Sequence, residues 1–218
     1  EGTAYLEAGD LANARISFEQ LLALAPGNTE AQAGLARVAV EEERYAAYAA
    51  AVAQEEAAAA QFAQTVTADG KYDAARAGEA KAGYEAALAA YSDLLVAAPH
   101  YRDVSARVLQ IRRTLQMEEL LNQAITVEIL GLEADAIQRY NQVQQIDLTY
   151  KRPYISSRLV GLNLKLGKRI VAQNPPLLAD LPTALGYFDA VLVQDPTHAE
   201  ATTQRRLARL YLSGRQAY

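Results

Sequence analysis

Apolar side chains recur along this chain three and four residues apart, the period of an α-helix with one buried face. Leu11, Ala14, Phe18, Leu21 and Leu22 share one face of a segment over 11–25, and Val104, Val108, Ile111 and Leu115 form one stripe of a segment over 101–130. Runs dense in Ala, Leu, Glu, Gln and Arg favour helix, and Pro and Gly punctuate them. Period-two alternation is nearly absent. The one Asp-Gly dipeptide, Asp69-Gly70, lies between Ala-rich stretches and not between β-branched runs. The pattern therefore predicts a first helix ending near Ala8, then helices over 11–25, 30–68, 72–98, 101–130, 133–147, 154–172, 181–194 and 198–212. The 30–68 stretch reads as one long helix or as two bent near Arg44-Tyr45. Gly9-Asp10 and Pro26-Gly27-Asn28-Thr29 read as turns, with Asp10 and either Asn28 or Thr29 as helix caps.

Four segments share a spacing: Ala14-Phe18-Leu21-Pro26, Ala87-Tyr91-Leu94-Pro99, Ala136-Tyr140-Val143-Leu148 and Ala184-Phe188-Val191-Pro196. The first three residues of each lie at i, i+4 and i+7, on one helix face. A small Ala beside a large ring lets two helices approach closely while the ring fills the groove opposite. The closing Pro ends the helix, because it has no N–H to donate and its ring clashes with the preceding turn.

Gly2, Tyr5, Gly9, Ala14, Phe18, Leu21 and Pro26 fall where the tetratricopeptide repeat places its small and large residues, and the chain resembles that family. The likeness is specific over the first thirty residues and partial over the second helix of three further units. Leu148 replaces the expected Pro in the third copy, and the breaks at 26, 99, 148 and 196 lie further apart than the ~34 residues of a standard repeat. The helices must be longer than standard, or extra ones inserted. The resemblance implies an all-α, antiparallel helical-hairpin array, a solenoid that binds peptides or protein segments in a concave groove, mostly through first-helix residues. The family variant that grips a C-terminal carboxylate uses Lys and Asn on successive first helices; Thr3 stands at the relevant place here, so that clamp is not carried over. A looser likeness, through runs such as Pro99-His100-Tyr101-Arg102-Asp103-Val104, is to tetratricopeptide modules attached to bacterial signalling proteins.

Composition narrows the chemistry. The chain is 218 residues long, 51% hydrophobic and 22% charged, ordinary values for a folded protein with a core. Cys is absent, which removes disulfides, thiol nucleophiles and Cys-ligated metal sites, and the two His, His100 and His198, read as polar residues in inter-repeat turns. Phosphate-loop, dinucleotide and serine-hydrolase motifs are missing, as is His-Glu-x-x-His. No catalytic, metal or cofactor-binding residue is expected. Glu41-Glu42-Glu43 and Glu55-Glu56 read as a solvated helix flank. No apolar run reaches the roughly 18 residues that would span a bilayer, so no membrane insertion is expected. The chain starts at Glu1 and its only Met is Met117, which reads as one domain, 1–218, cut from a longer protein, with a sub-boundary near 69–71; compartment stays open.

Charge is uneven. Residues 1–70 carry eleven acidic and three basic groups, and residues 151–218 four acidic and ten basic. Such a gradient steers a charged partner or lets copies associate head to tail. Nucleic acid is not expected, because the chain is acidic overall, at −5. If the partner is an acidic segment, the candidate contacts are Arg102, Arg112 and Arg113 on the 101–116 helix and Arg158 and Lys165, two turns apart on the next but one. Thirteen Tyr stand against three Phe. Most are expected in the core, while Tyr45, Tyr48, Tyr101, Tyr150 and Tyr154 are free to line a binding surface. The functional expectation is a non-catalytic protein- or peptide-binding scaffold; the alternative is a sensor domain taking a small ligand between helices.

Overall fold

A computed structural model describes residues 1–173 and 178–216, and among them the chain is all-α. The helices are α1 (Gly2–Glu7), α2 (Leu11–Leu24), α3 (Thr29–Ala63), α4 (Ala74–Ala97), α5 (Val104–Ile129), α6 (Glu133–Ile146), α7 (Arg152–Val171), α8 (Leu181–Gln194) and α9 (Ala199–Gln216). No described helix is long and apolar enough to cross a membrane.

Capping chemistry sets several of these ends. The Asp10 carboxylate accepts from the Asn13 N–H at 3.2 Å and opens α2. Asn28 does the same for α3 through the Ala31 N–H at 2.8 Å, and His198 Nδ1 for α9 through the Ala201 N–H at 3.2 Å. At the end of α6, where Leu148 replaces the expected Pro, Asp147 accepts from the Thr149 N–H at 2.8 Å. After α8, Asp195 accepts from the Thr197 N–H at 3.0 Å in the same way. A side-chain turn thus ends the third copy without proline.

The chain divides into two compact units, one of residues 1–63 and 75–112, the other of 64–74 and 113–216 of the described chain. In the first unit, α1, α2 and α3 pack in succession, and α1 also meets α3. That skipped contact is what stacked hairpins require, because each helix must cover its neighbour and its next but one. The Phe18 ring on α2 fills a space that exists only because Gly2 and Gly34 lack a Cβ; one added at Gly2 would lie 2.7 Å from the ring, and one at Gly34 would overlap it.

The α3 helix is continuous and unbroken at Arg44-Tyr45. Its buried residues form two stripes, Ala31-Gly34-Val38 and Ala51-Ala58-Phe62. At ~100° per residue these stripes lie roughly 140° apart around the helix. The first meets Phe18; the second meets α4, where Phe62 lies 5.3 Å from Tyr84 and Ala58 packs against Gly83. One long helix therefore serves two successive partners, which accounts for the wide spacing between the breaks at 26 and 99.

In the second unit α6, α7, α8 and α9 pack in succession, and α7 also meets α9. The core gathers Met117, Leu121, Ala136, Tyr140, Val143, Ile155 and Leu159. Phe188 on α8 presses on Gly167 of α7, repeating the Phe-on-Gly packing of the first unit.

Helix does not extend to residue 68. It stops at Ala63, and Val66 pairs with Tyr72 in an isolated antiparallel bridge around Gly70, whose φ is +73°. The β-branched run Thr65-Val66-Thr67 disfavours helix, and the Asp69-Gly70 turn signal, outweighed in the sequence by its Ala-rich flanks, prevails.

Candidate functional site

The repeat positions are core. Every Ala, aromatic and aliphatic residue of the four-copy pattern is buried except Leu21, which is 39% exposed, and Leu148 at the break of the third copy, which is 54% exposed. The choice between Tyr and Phe at the aromatic position has a physical reason. Tyr91 and Tyr140 donate their hydroxyls to carboxylates on the preceding helix, Tyr91 to Glu55 at 2.7 Å and Tyr140 to Glu128 at 2.8 Å. Each carboxylate also takes a guanidinium from the following helix, Arg107 to Glu55 at 2.9 Å and Arg158 to Glu128 at 3.1 Å. A Tyr–Glu–Arg link therefore recurs in both units and gives the hydroxyl of a buried ring a carboxylate partner.

These links decide the setting of several candidate residues. Arg158 is held by Glu128, and Lys165 by Glu133 at 2.7 Å, although both cations keep solvent exposure. Glu133 also takes Arg169 at 2.9 Å. Arg113 donates to the Ile146 carbonyl at the end of α6, a favourable place for a cation. Arg112 is exposed on α5. Arg102 does not lie in that helix. It precedes it, in a left-handed turn with φ +45°. The acidic run is also not a solvated flank alone. Glu42 pairs with Arg15, Glu41 with Arg44, and Glu55 joins the link above, while Glu43 and Glu56 are exposed.

The tyrosines divide as well. Tyr150 packs against the core of the second unit and Tyr154 is part of it. Tyr48 donates to Asp103 at 2.6 Å. Tyr45 and Tyr101 line the largest groove among those described, about 780 Å³, which lies wholly in the first unit. Leu6, Gly9 and Leu11 form one side, the α3 segment from Ala36 to Tyr45 another, and His100, Tyr101 and Arg102 the third. Most of these residues are exposed, so the space is an open groove and not an enclosed cavity.

Three guanidinium groups, Arg37, Arg44 and Arg102, stand in this groove against one carboxylate, Glu41. Arg44 is occupied by Glu41 and also reaches the Ala97 carbonyl at 3.5 Å. Arg102 rests among three rings, 4.9 Å from the Tyr45 centroid, 5.5 Å from Tyr48 and 5.6 Å from Tyr101. Arg37 and Arg44 were not singled out in the sequence. Their seven-residue spacing, off the buried Ala31-Gly34-Val38 stripe, is the signal that places both on the open face of α3.

A second, smaller groove of about 440 Å³ in the other unit is lined by amides of α6 with Tyr187. Among the described residues no group of three or more His, Asp or Glu is arranged to hold a metal ion. No family model matches the chain, and no curated protein matches it in sequence.

Proposed function

We propose that this chain is a non-catalytic, tetratricopeptide-type scaffold module that binds a segment of another protein, and that the groove of the first unit is its docking site. The supporting observation is the groove itself: an apolar floor of Leu6, Leu11 and the half-exposed Val40, walled by aromatic and cationic side chains and open to solvent. An enclosed pocket of ~300–1,000 Å³ would suit a small ligand. Exposed walls along several helical turns suit an extended chain, which gains affinity from many shallow contacts.

Panning a library of 12-residue peptides on the immobilised chain tests the reading. Peptides are expected to be enriched on the native chain and lost on Val40→Glu, a change at an exposed position that leaves the helical signal intact. Absence of enrichment, or enrichment indifferent to Val40→Glu, overturns it.

A further inference from the structure

We infer that the groove of the first unit selects an acidic peptide segment in extended conformation, with two carboxylates flanking one apolar side chain in the order acidic–x–apolar–x–acidic. This rests on the docking reading above and adds the chemistry of the occupant.

The first observation is an internal comparison. The turn Tyr101-Arg102 before α5 has a counterpart in Tyr150-Lys151 before α7. In both, the basic residue is left-handed, with φ +45° at Arg102 and +42° at Lys151. In both, its cation lies over the preceding Tyr and a second Tyr from another segment. The two differ in their anion. The Lys151 side chain, only 9% exposed, is bonded to the Glu118 carboxylate at 2.6 Å, which also accepts from Tyr72 and Tyr150. Arg102 is exposed, and among the described residues no carboxylate pairs with it. The left-handed region is costly for a residue with a Cβ, and such cost persists where side-chain direction matters. The guanidinium rests among these rings with no carboxylate of its own among the described residues, and its planar fork of donors is the group that suits a carboxylate.

The second observation is charge. Residues 1–70 carry eleven acidic groups against three basic ones, yet two of those three, Arg37 and Arg44, face this groove. Arg37 is exposed and, like Arg102, has no ion-pair partner among the described residues. A positive groove in an acidic surround admits a short anionic segment while repelling a long polyanion such as nucleic acid.

Spacing then fixes the pattern. From Arg37 to Tyr45, the ring under Arg102, is eight residues of helix, about 12 Å. Four residues of extended peptide span about 13 Å, and positions i, i+2 and i+4 point the same way. Carboxylates at i and i+4 match that span between the Arg37 and Arg102 ends of the groove, with the side chain at i+2 between them over the exposed Val40.

Fluorescence anisotropy of labelled nine-residue peptides tests this. The central sequence is Glu-Ala-Leu-Ala-Glu, with Gln and Lys replacing both Glu in two controls and a nine-nucleotide single strand as a polyanion. The Glu peptide is expected to bind at least about tenfold more tightly than the Gln peptide, more weakly as salt rises, and the Lys peptide not at all. Arg37→Gln should weaken it about tenfold. Arg102→Gly should do likewise while leaving the melting temperature unchanged or higher, because glycine adopts that turn without strain. Equal binding of Glu and Gln peptides, lost on Val40→Glu, overturns the acidic preference and leaves the docking site standing. Failure of all peptides overturns both. Tighter binding of the oligonucleotide overturns the peptide assignment, and Arg102→Gly binding at native strength removes that residue.

Discussion

At the scale of single residues, the four aromatic positions of the repeat use two packing solutions. Phe18 and Phe188 press against backbone that only glycine leaves open, whereas Tyr91 and Tyr140 extend past the core to a carboxylate. A methyl group at Gly167 would lie 2.6 Å from the Phe188 ring, closer than atoms pack, so the ring or helix must shift. Gly167→Ala is expected to cost about 1–3 kcal/mol by urea denaturation. Gly78, on the exposed face of α4 with no atom within 4 Å of its missing Cβ, supplies the contrast: Gly78→Ala should gain about 0.5–1 kcal/mol through helix entropy. Equal effects at the two positions would mean that the Phe188 contact is not tight. The repeat pattern thus revealed which residues are buried. It did not reveal the glycines as partners, since a glycine within a helical run reads first as a weak point and only the facing ring gives it a purpose.

At the scale of helices, ion pairs tie one element to the next. Glu133 opens α6 with its carboxylate near the helix N-terminus and binds Lys165 and Arg169, two successive cations of the same face of α7. The Lys165 ammonium, the backbone at the helix start and Arg169 together lower the Glu133 carboxyl from 4.5 to about 2. A carboxyl lowered on folding stabilises the native state above its ordinary value and loses that contribution as pH falls through the folded one. The second unit should therefore weaken between about pH 4.5 and pH 2, and Glu133→Gln should be less stable at pH 7 yet flatter across that window. Other lowered carboxyls, such as Asp147 and Asp195, act in the same direction, so the measurement is the difference between the melting temperatures of native and variant chains at each pH. A constant difference from pH 7 to pH 2 would remove Glu133 from this role. These pairs explain what could be read of the candidate residues. The two-turn spacing of Arg158 and Lys165 placed them on one face, but a cation's spacing does not tell whether its anion lies inside the chain. Here Glu128 and Glu133, thirty and thirty-two residues earlier, provide it. Arg102 was visible as a residue off the apolar stripe. Its left-handed turn was not, because the propensity of non-glycine residues for that region is too low to read from sequence.

At the scale of the whole molecule, two compact units each hold their own packed helices. In the first unit α1, α2 and α3 pack in succession and in the second α6 to α9 do, with α1–α3 and α7–α9 adding contacts to the next but one. Stability in such a stack is close to a sum of local terms, so damage should stay local. Tyr140 is the sharpest probe, since its ring is fully buried in the second unit and its hydroxyl holds the Glu128–Arg158 link. Tyr140→Ala should cost about 3–5 kcal/mol, and Tyr140→Phe, which keeps the ring, only about 1 kcal/mol. Hydrogen exchange followed by mass spectrometry should then show amide protection falling over residues 113–171 of the Ala variant while residues 1–63 exchange at the native rate. A uniform loss over both units would show that the chain unfolds as a single cooperative body. The same locality bears on binding: if the first unit keeps its protection in Tyr140→Ala, it should also keep its groove, because Leu6, Arg37, Val40, Tyr45 and Arg102 all belong to that unit. Acidic-peptide affinity unchanged in a chain whose second unit is destabilised would then assign recognition to the first unit alone.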